Sequence, residues 1–216
     1  MKNIVKKIFE LIKSDIDYKK YWDNRYRSGD TSGAGSYGKL AQFKTDIINS
    51  FLYKYTITNV IEFGCGDGNQ LKSIHYPKYL GMDVAQSSVS ECISTFGGDN
   101  KKSFMIYDPT LFVNNGWIMA ELTVCLDVLY HIIDEEDFLK TLKDIFESSS
   151  KYVILYTSID AFKEEPYKKG THVRHRDTLS YLLKFEQFKI VEIINQRYPE
   201  LSSASFIMLE RVNFEK

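Results

Sequence analysis

Residues 60 to 68 read Val-Ile-Glu-Phe-Gly-Cys-Gly-Asp-Gly, a short apolar run that breaks into Gly64-x-Gly66-x-Gly68 with Glu62 two positions before the first glycine. Alternating glycines at the end of a buried strand let the backbone turn sharply and leave amide N–H groups free to face a ligand above the sheet edge. The chemistry this implies is capture of a small, adenosine-bearing molecule. Tyr79-Leu80-Gly81-Met82-Asp83 is a second apolar stretch ending in an acid, 21 positions after Glu62. A carboxylate at a strand tip accepts both hydroxyls of a ribose, because ionised oxygens are pure acceptors. Asp83, followed by Val84, is the candidate ribose ligand.

Two further runs repeat the pattern. Ser103-Phe104-Met105-Ile106-Tyr107 ends in Asp108, and Leu122-Thr123-Val124-Cys125-Leu126 leads into Asp127-Val128-Leu129-Tyr130-His131. Acids at four strand ends, about twenty residues apart, fit the ligand crevice of an open α/β sheet better than any one motif does. Asp127 and His131 are candidates for the reacting end, since an imidazole near its ordinary pKa takes a proton efficiently. Plainer readings stand beside these: a solvated turn carboxylate for Asp108, and a packing or capping role for His131.

The dinucleotide fingerprint G-x-G-x-x-G needs a glycine where this chain has Asn69. Glu62-x-Gly64-x-Gly66-x-Gly68 resembles instead motif I of the class I S-adenosylmethionine-dependent methyltransferases, and Asp127 to His131 resembles motif IV and the residues just after it. The resemblance covers about residues 38 to 160. It implies an α/β, doubly wound, seven-stranded, mostly parallel Rossmann-like sheet with an antiparallel last strand. It also implies S-adenosyl-L-methionine as cofactor and S-adenosyl-L-homocysteine as product. Glu62, Gly64, Cys65, Gly66, Gly68, Asp83, Val84, Asp108 and Asp127 would then hold the cofactor, with the glycine loop around its methionine end and Asp108 at the adenine amino group. NAD enzymes share this acid, so Asp83 by itself does not separate the two cofactors; an NAD(P)-dependent oxidoreductase is the alternative reading, and a non-catalytic cofactor-binding subunit is another.

The flanks bear on the acceptor. Tyr21-Trp22-x-x-Arg25-Tyr26, followed by Ser32-Gly33-Ala34-Gly35-Ser36-x-Gly38, resembles the N-terminal portion of small bacterial methyltransferases, several of them linked to surface polysaccharide synthesis. That implies a small polar acceptor such as a sugar, a nucleotide-linked sugar or a phosphoramidate-type group. Residues 18 to 38 are expected to cover the site as a mobile lid, a flexible linker being the alternative. Tyr21, Arg25, Ser36, Tyr37 and Gly38 are the lid positions of first interest, with Tyr130 on the sheet side. His172-Val173-Arg174-His175-Arg176 supplies two arginine forks suited to an anionic acceptor, and two further candidate bases, His172 and His175. With no third ligand near these histidines, no metal is expected.

The elements that must position these groups follow from periodicity. Helices are expected at 40 to 53, 69 to 75, 86 to 96, 135 to 147 and 177 to 185, and strands at 58 to 63, 79 to 83, 103 to 107, 122 to 127, 151 to 157, 188 to 195 and 205 to 212. Ile4, Ile8, Phe9, Leu11 and Ile12 mark an amphipathic N-terminal helix. The organisation expected is an N-terminal helix and lid over 1 to 38 and the methyltransferase-like domain over 39 to 216, in one globular unit. Basic and acidic side chains number 28 and 29, so there is no global charge footprint for nucleic acid or an anionic membrane, and neither is expected as a partner. Three widely spaced cysteines fit reduced core thiols of a cytoplasmic protein, and a homo-oligomer stays open.

Overall fold

The computed structural model describes residues 16–159, 167 and 170–212. The expected helix through Ile4 and Ile12, and residues 160–166, 168 and 169 of the excursion before His172, lie outside the described residues. The chain runs α1 (Tyr18–Arg27), α2 (Gly38–Lys54), β1 (Val60–Phe63), β2 (Tyr79–Asp83), α3 (Gln86–Phe96), β3 (Lys102–Ile106), β4 (Ala120–Leu126), α4 (Glu135–Glu147), β5 (Ser149–Ser158), α5 (Thr178–Leu182), β6 (Phe188–Ile194) and β7 (Ala204–Arg211). Single 3₁₀ turns sit at Ala34–Ser36, Gln70–Lys72 and Leu129–His131.

The seven strands form one sheet in the order β3-β2-β1-β4-β5-β7-β6. β1 to β5 pair in parallel, whereas β7 runs antiparallel to both β5 and β6. Strand order reverses between β1 and β4, and the crevice outside the carboxyl ends of these two strands is where such sheets bind ligands. Alternation along the central strands feeds two separate cores. Ile61, Phe63, Cys125, Val153 and Leu155 pack on one side with Phe138, Leu142 and Phe146 of α4. Val60, Val124, Leu126, Ile154 and Tyr156 pack on the other with Phe43, Ile48 and Phe51 of α2. Burial on both faces is why these strands read as continuous apolar runs.

Two expected helices are shortened. Residues 69 to 75 make only the 3₁₀ turn Gln70–Lys72, because Asn49 of α2 takes the backbone groups a helix would use internally. Its Nδ2 donates to the Ser73 carbonyl at 3.1 Å, and its Oδ1 accepts from the His75 N–H at 2.9 Å. The helix expected at 177 to 185 is confined to Thr178–Leu182, and the chain turns at Phe185, whose carbonyl accepts from Phe188 N, to enter β6. Asp134 caps α4 as its acidic run implies, accepting from the N–H groups of Glu136 and Asp137. Among the described residues no helix is long and apolar enough to cross a membrane.

Candidate active site

The glycine loop is built on positive backbone φ. Gly64, Gly66 and Gly68 stand at φ 89°, 54° and 71°, conformations that side chains resist. Space also forbids a side chain at the first of them: a Cβ on Gly64 would lie 2.1 Å from Val128 Cγ2. The loop is held from beneath by β2, whose Met82 carbonyl accepts from the N–H groups of Gly64 and Cys65 at 2.7 and 3.0 Å.

Two buried carboxyls flank this loop. Asp83 accepts from Gly66 N and from Ala85 N, each at 2.9 Å. Burial dominates its proton affinity and raises its pKa to about 6 against the pull of these bonds. Glu62 accepts from the Tyr79 hydroxyl at 2.6 Å, and burial pushes it up to about 7, only partly opposed by Tyr79 and Lys44. Both carboxyls, together with Val84, Cys65 and Phe63, line a cleft of about 830 Å³, part of it open to solvent. Asp108 lies outside this lining. Lys19 reaches it at 2.7 Å, and Thr110 donates to the same oxygen.

Beside the glycine loop β4 finishes in a tight turn. Asp127 takes φ 60°, in the left-handed region that aspartate tolerates better than most residues. Its Oδ2 pairs with Lys44 Nζ at 2.5 Å, and its Oδ1 accepts from the Tyr130 hydroxyl at 2.6 Å. Lys44, in the middle of α2, is buried and packs over the Tyr156 ring. The following 3₁₀ turn brings His131 into the cleft wall. Its Nδ1 lies 3.0 Å from the His172 carbonyl. A carbonyl can only accept, so Nδ1 carries the proton and Nε2 keeps a bare lone pair. Burial lowers the pKa of His131 to about 4, well below the ordinary imidazole value expected from the sequence, which leaves the ring neutral at pH 7 but a weaker base.

α1 forms the roof. Tyr18, Trp22 and Tyr26, spaced four residues apart, present one helical stripe to the cleft. Tyr21 and Arg25, the residues expected there, occupy the adjoining face. Tyr21 stacks on His172 with ring centroids 4.8 Å apart, and Arg25 holds Thr31 O and Asp30. The roof is tied down at two helix N-termini. Asp23 accepts from Ser87 N at the start of α3, and Lys19 and Tyr18 bond Asp137 in the first turn of α4. The loop beyond α1 is latched to the glycine loop through Asp67, which accepts from Ser32 N and the Tyr37 hydroxyl, both at 2.8 Å. Ser32 and Ser36 line the cleft, while Gly38 opens α2 at φ 57°.

The 172 to 176 cluster divides in two. His172 sits in a ring stack between Tyr21 and His131, and His175 Nδ1 lies 2.8 Å from Ser158 Oγ at the end of β5. The arginines point the other way. Arg176 is buried over the Phe138 ring and donates to the carbonyls of Ile132 and Ile133 and to Glu135. Arg174 joins it on Ile133 O and Glu135. The expected anion forks are thus bound within the fold, because the carbonyls of Ile132 and Ile133 before α4 and the Glu135 carboxylate at its start claim them first.

The residues that sequence reasoning missed are Lys44, Gln70 and the stripe Tyr18, Trp22 and Tyr26. The four-residue aromatic period was a visible signal. Gln70 gave none: its Nε2 donates to Ala41 O and Thr45 Oγ1, while its Oε1 faces burial in the cleft wall with no partner among the described residues.

No family profile matches the sequence, and no curated protein matches it. Solved structures do match. The N-methyltransferase NodS from Bradyrhizobium japonicum WM9, in complex with S-adenosyl-L-homocysteine, is 15% identical with a TM-score of 0.71, over 91% of this chain and 100% of that one. Magnesium protoporphyrin IX methyltransferase from Synechocystis PCC 6803, with bound S-adenosylmethionine, is 16% identical at 0.63, over 93% and 100%. An S-adenosylmethionine-dependent methyltransferase from Clostridium acetobutylicum ATCC 824 is 16% identical at 0.59, over 98% and 97%. With the strand order and antiparallel β7, these likenesses establish that the chain has the Rossmann-like fold of the class I S-adenosylmethionine-dependent methyltransferases.

Proposed function

We propose that this protein is an S-adenosylmethionine-dependent methyltransferase acting on an oxygen or nitrogen of a small polar acceptor. One observation carries the reading: a single cleft is lined both by the glycine loop with Asp83 and by a neutral His131. The residues present fit the cofactor. In this reading the glycine loop clears space for its methionine end, the unpartnered Gln70 Oε1 is an acceptor for its ammonium, and Asp83, at the tip of β2, is the acceptor for its ribose. When bound, the cofactor supplies an activated methyl group on a sulfonium.

The chain then has three tasks. The roof stripe of Tyr18, Trp22 and Tyr26 excludes water and orients the reactants in line. His131 Nε2 takes the acceptor's proton, with the tautomer set by the His172 carbonyl. The His172, His175, Tyr21 and Tyr130 cluster beside it shapes the acceptor's space. Acceptors named for the structural neighbours differ, and one neighbour is a small RNA methyltransferase. The near-zero net charge and the aromatic roof favour a small molecule, and the N-terminal resemblance favours a sugar-like acceptor of surface glycan synthesis in the cytoplasm.

An NAD(P) enzyme is disfavoured by the same loop. A pyrophosphate needs a helix N-terminus directly after the glycines, and here a 3₁₀ turn stands in its place, with the Asn69 amide turned to the Ser36 carbonyl. Calorimetry is the test: S-adenosylhomocysteine binds and NAD does not. NAD binding with no response to the sulfur compound overturns the proposal. His131→Ala should keep S-adenosylhomocysteine affinity within about threefold while lowering turnover of an identified acceptor by roughly 10² to 10⁴. Turnover at the wild-type rate would remove His131 as the base.

A further inference from the structure

Lys44 is a charged side chain 1% exposed in the centre of a helix, and it forms an ion pair with Asp127. A lysine is seldom buried so completely unless its charge is paired. Asp127 in turn has both oxygens engaged, one by Lys44 and the other by Tyr130, while its N–H donates to Tyr156 O at 2.9 Å. Gly35 of the roof loop closes in on the same carboxylate: a Cβ there would come within 2.8 Å of Oδ2. One lone pair on each Asp127 oxygen is thus committed inside the protein, and Gly35 crowds the approach to Oδ2. What it does hold is the left-handed turn at the end of β4.

That turn has two consequences one and four residues on. Val128 is packed so closely on Gly64 that no side chain fits between them, and His131 enters the cleft wall through the bond from its N–H to Val128 O at 2.8 Å. The glycine loop and the candidate base thus share one backbone support. We propose that Lys44 and Asp127 act as a positioning pair, α2 anchoring the β4 turn so that Val128 seats the glycine loop and His131 faces the cleft, and that Asp127 is neither base nor cofactor ligand.

The mechanistic part of this proposal rests on the methyltransferase reading, but the pairing does not. The full chain would be compared as wild type, Lys44→Met, Asp127→Asn and the double variant. The first readout is S-adenosylhomocysteine affinity by calorimetry, and the second is the His131 imidazole titration by NMR. His131 is faced by His172, His175 and Asp127 among ionisable groups, and by the Trp22 and Tyr130 rings. Asp127→Asn leaves the buried Lys44 charge without its partner and Lys44→Met leaves the partly buried Asp127 unpaired, whereas the double variant leaves neither.

Each single variant is expected to bind S-adenosylhomocysteine about tenfold or more weakly. The His131 titration should shift in both: up in Lys44→Met, which leaves the Asp127 carboxylate unpaired beside the ring, and down in Asp127→Asn, which removes the negative charge that raises it. The double variant recovers most of both, and Lys44→Arg, which keeps the charge, stays nearer wild type than Lys44→Met. Additive losses in the double variant overturn the pair. Loss of affinity in Asp127→Asn with the His131 titration unmoved also overturns it, since Asp127 would then touch the ligand itself. If wild type fails to bind S-adenosylhomocysteine, the methyltransferase reading falls. The NMR cycle still decides the pairing, and single variants that do not fold beside a folded double variant support it.

Discussion

Replacing Glu62 by glutamine should stabilise the protein, and by an amount that depends on pH. Glu62 is 5% exposed, and its pKa is raised from 4.5 to about 7, chiefly by burial. A carboxyl whose folded pKa is raised contributes most below its unfolded value, and that contribution is lost as pH climbs through the folded one. Above pH 7 the displacement from 4.5 to about 7 amounts to roughly 3 kcal/mol against the folded state. Glutamine does not titrate, yet it keeps an acceptor for the Tyr79 hydroxyl that bonds Glu62. The shift in Asp83 is present in both proteins and cancels. Urea denaturation at pH 5 and pH 8 is the assay, and the variant's advantage should grow by about 2 kcal/mol between them. A gap that is equal at both pH values, or a variant less stable at pH 8, would refute the reasoning. A destabilising acid retained at such a site is explained by function, so the same variant should bind S-adenosylhomocysteine about tenfold more weakly at pH 8.

Two other substitutions examine the supports of the site. Gly64→Ala forces a side chain at φ 89° into Val128 Cγ2; stability should fall by about 2 kcal/mol or more, and S-adenosylhomocysteine affinity with it, whereas an unchanged melting temperature would mean the turn has slack. Arg176→Met removes the donors of two backbone carbonyls and of Glu135. With Glu135 partly exposed, a loss of about 2 to 3 kcal/mol is expected in chemical denaturation, and a stability equal to wild type would return Arg176 to the surface as a ligand-binding fork.

Much of this protein was determined locally. The runs that became β1, β2 and β4 are apolar because both sheet faces are covered, and Gly64, Gly66 and Gly68 occupy backbone angles that glycine alone adopts without strain. Such requirements act on a residue and its immediate neighbours, so they are written in consecutive letters. The positions of Glu62, Asp83 and Asp127 at the crevice follow from the same strand endings.

Tertiary structure alone decided which polar side chains face the cleft. Lys44 reads as one more lysine of an amphipathic helix until Asp127, 83 positions on, takes it inside. Arg176 reads as a free fork until Ile132, Ile133 and Glu135 bind it. Residues 69 to 75 fit a helix in isolation, but Asn49 supplies competing hydrogen bonds from α2. The physical reason is common to all three. Whether a polar group is buried depends on whether a partner meets it there, and those partners are brought close only when distant segments of the chain pack.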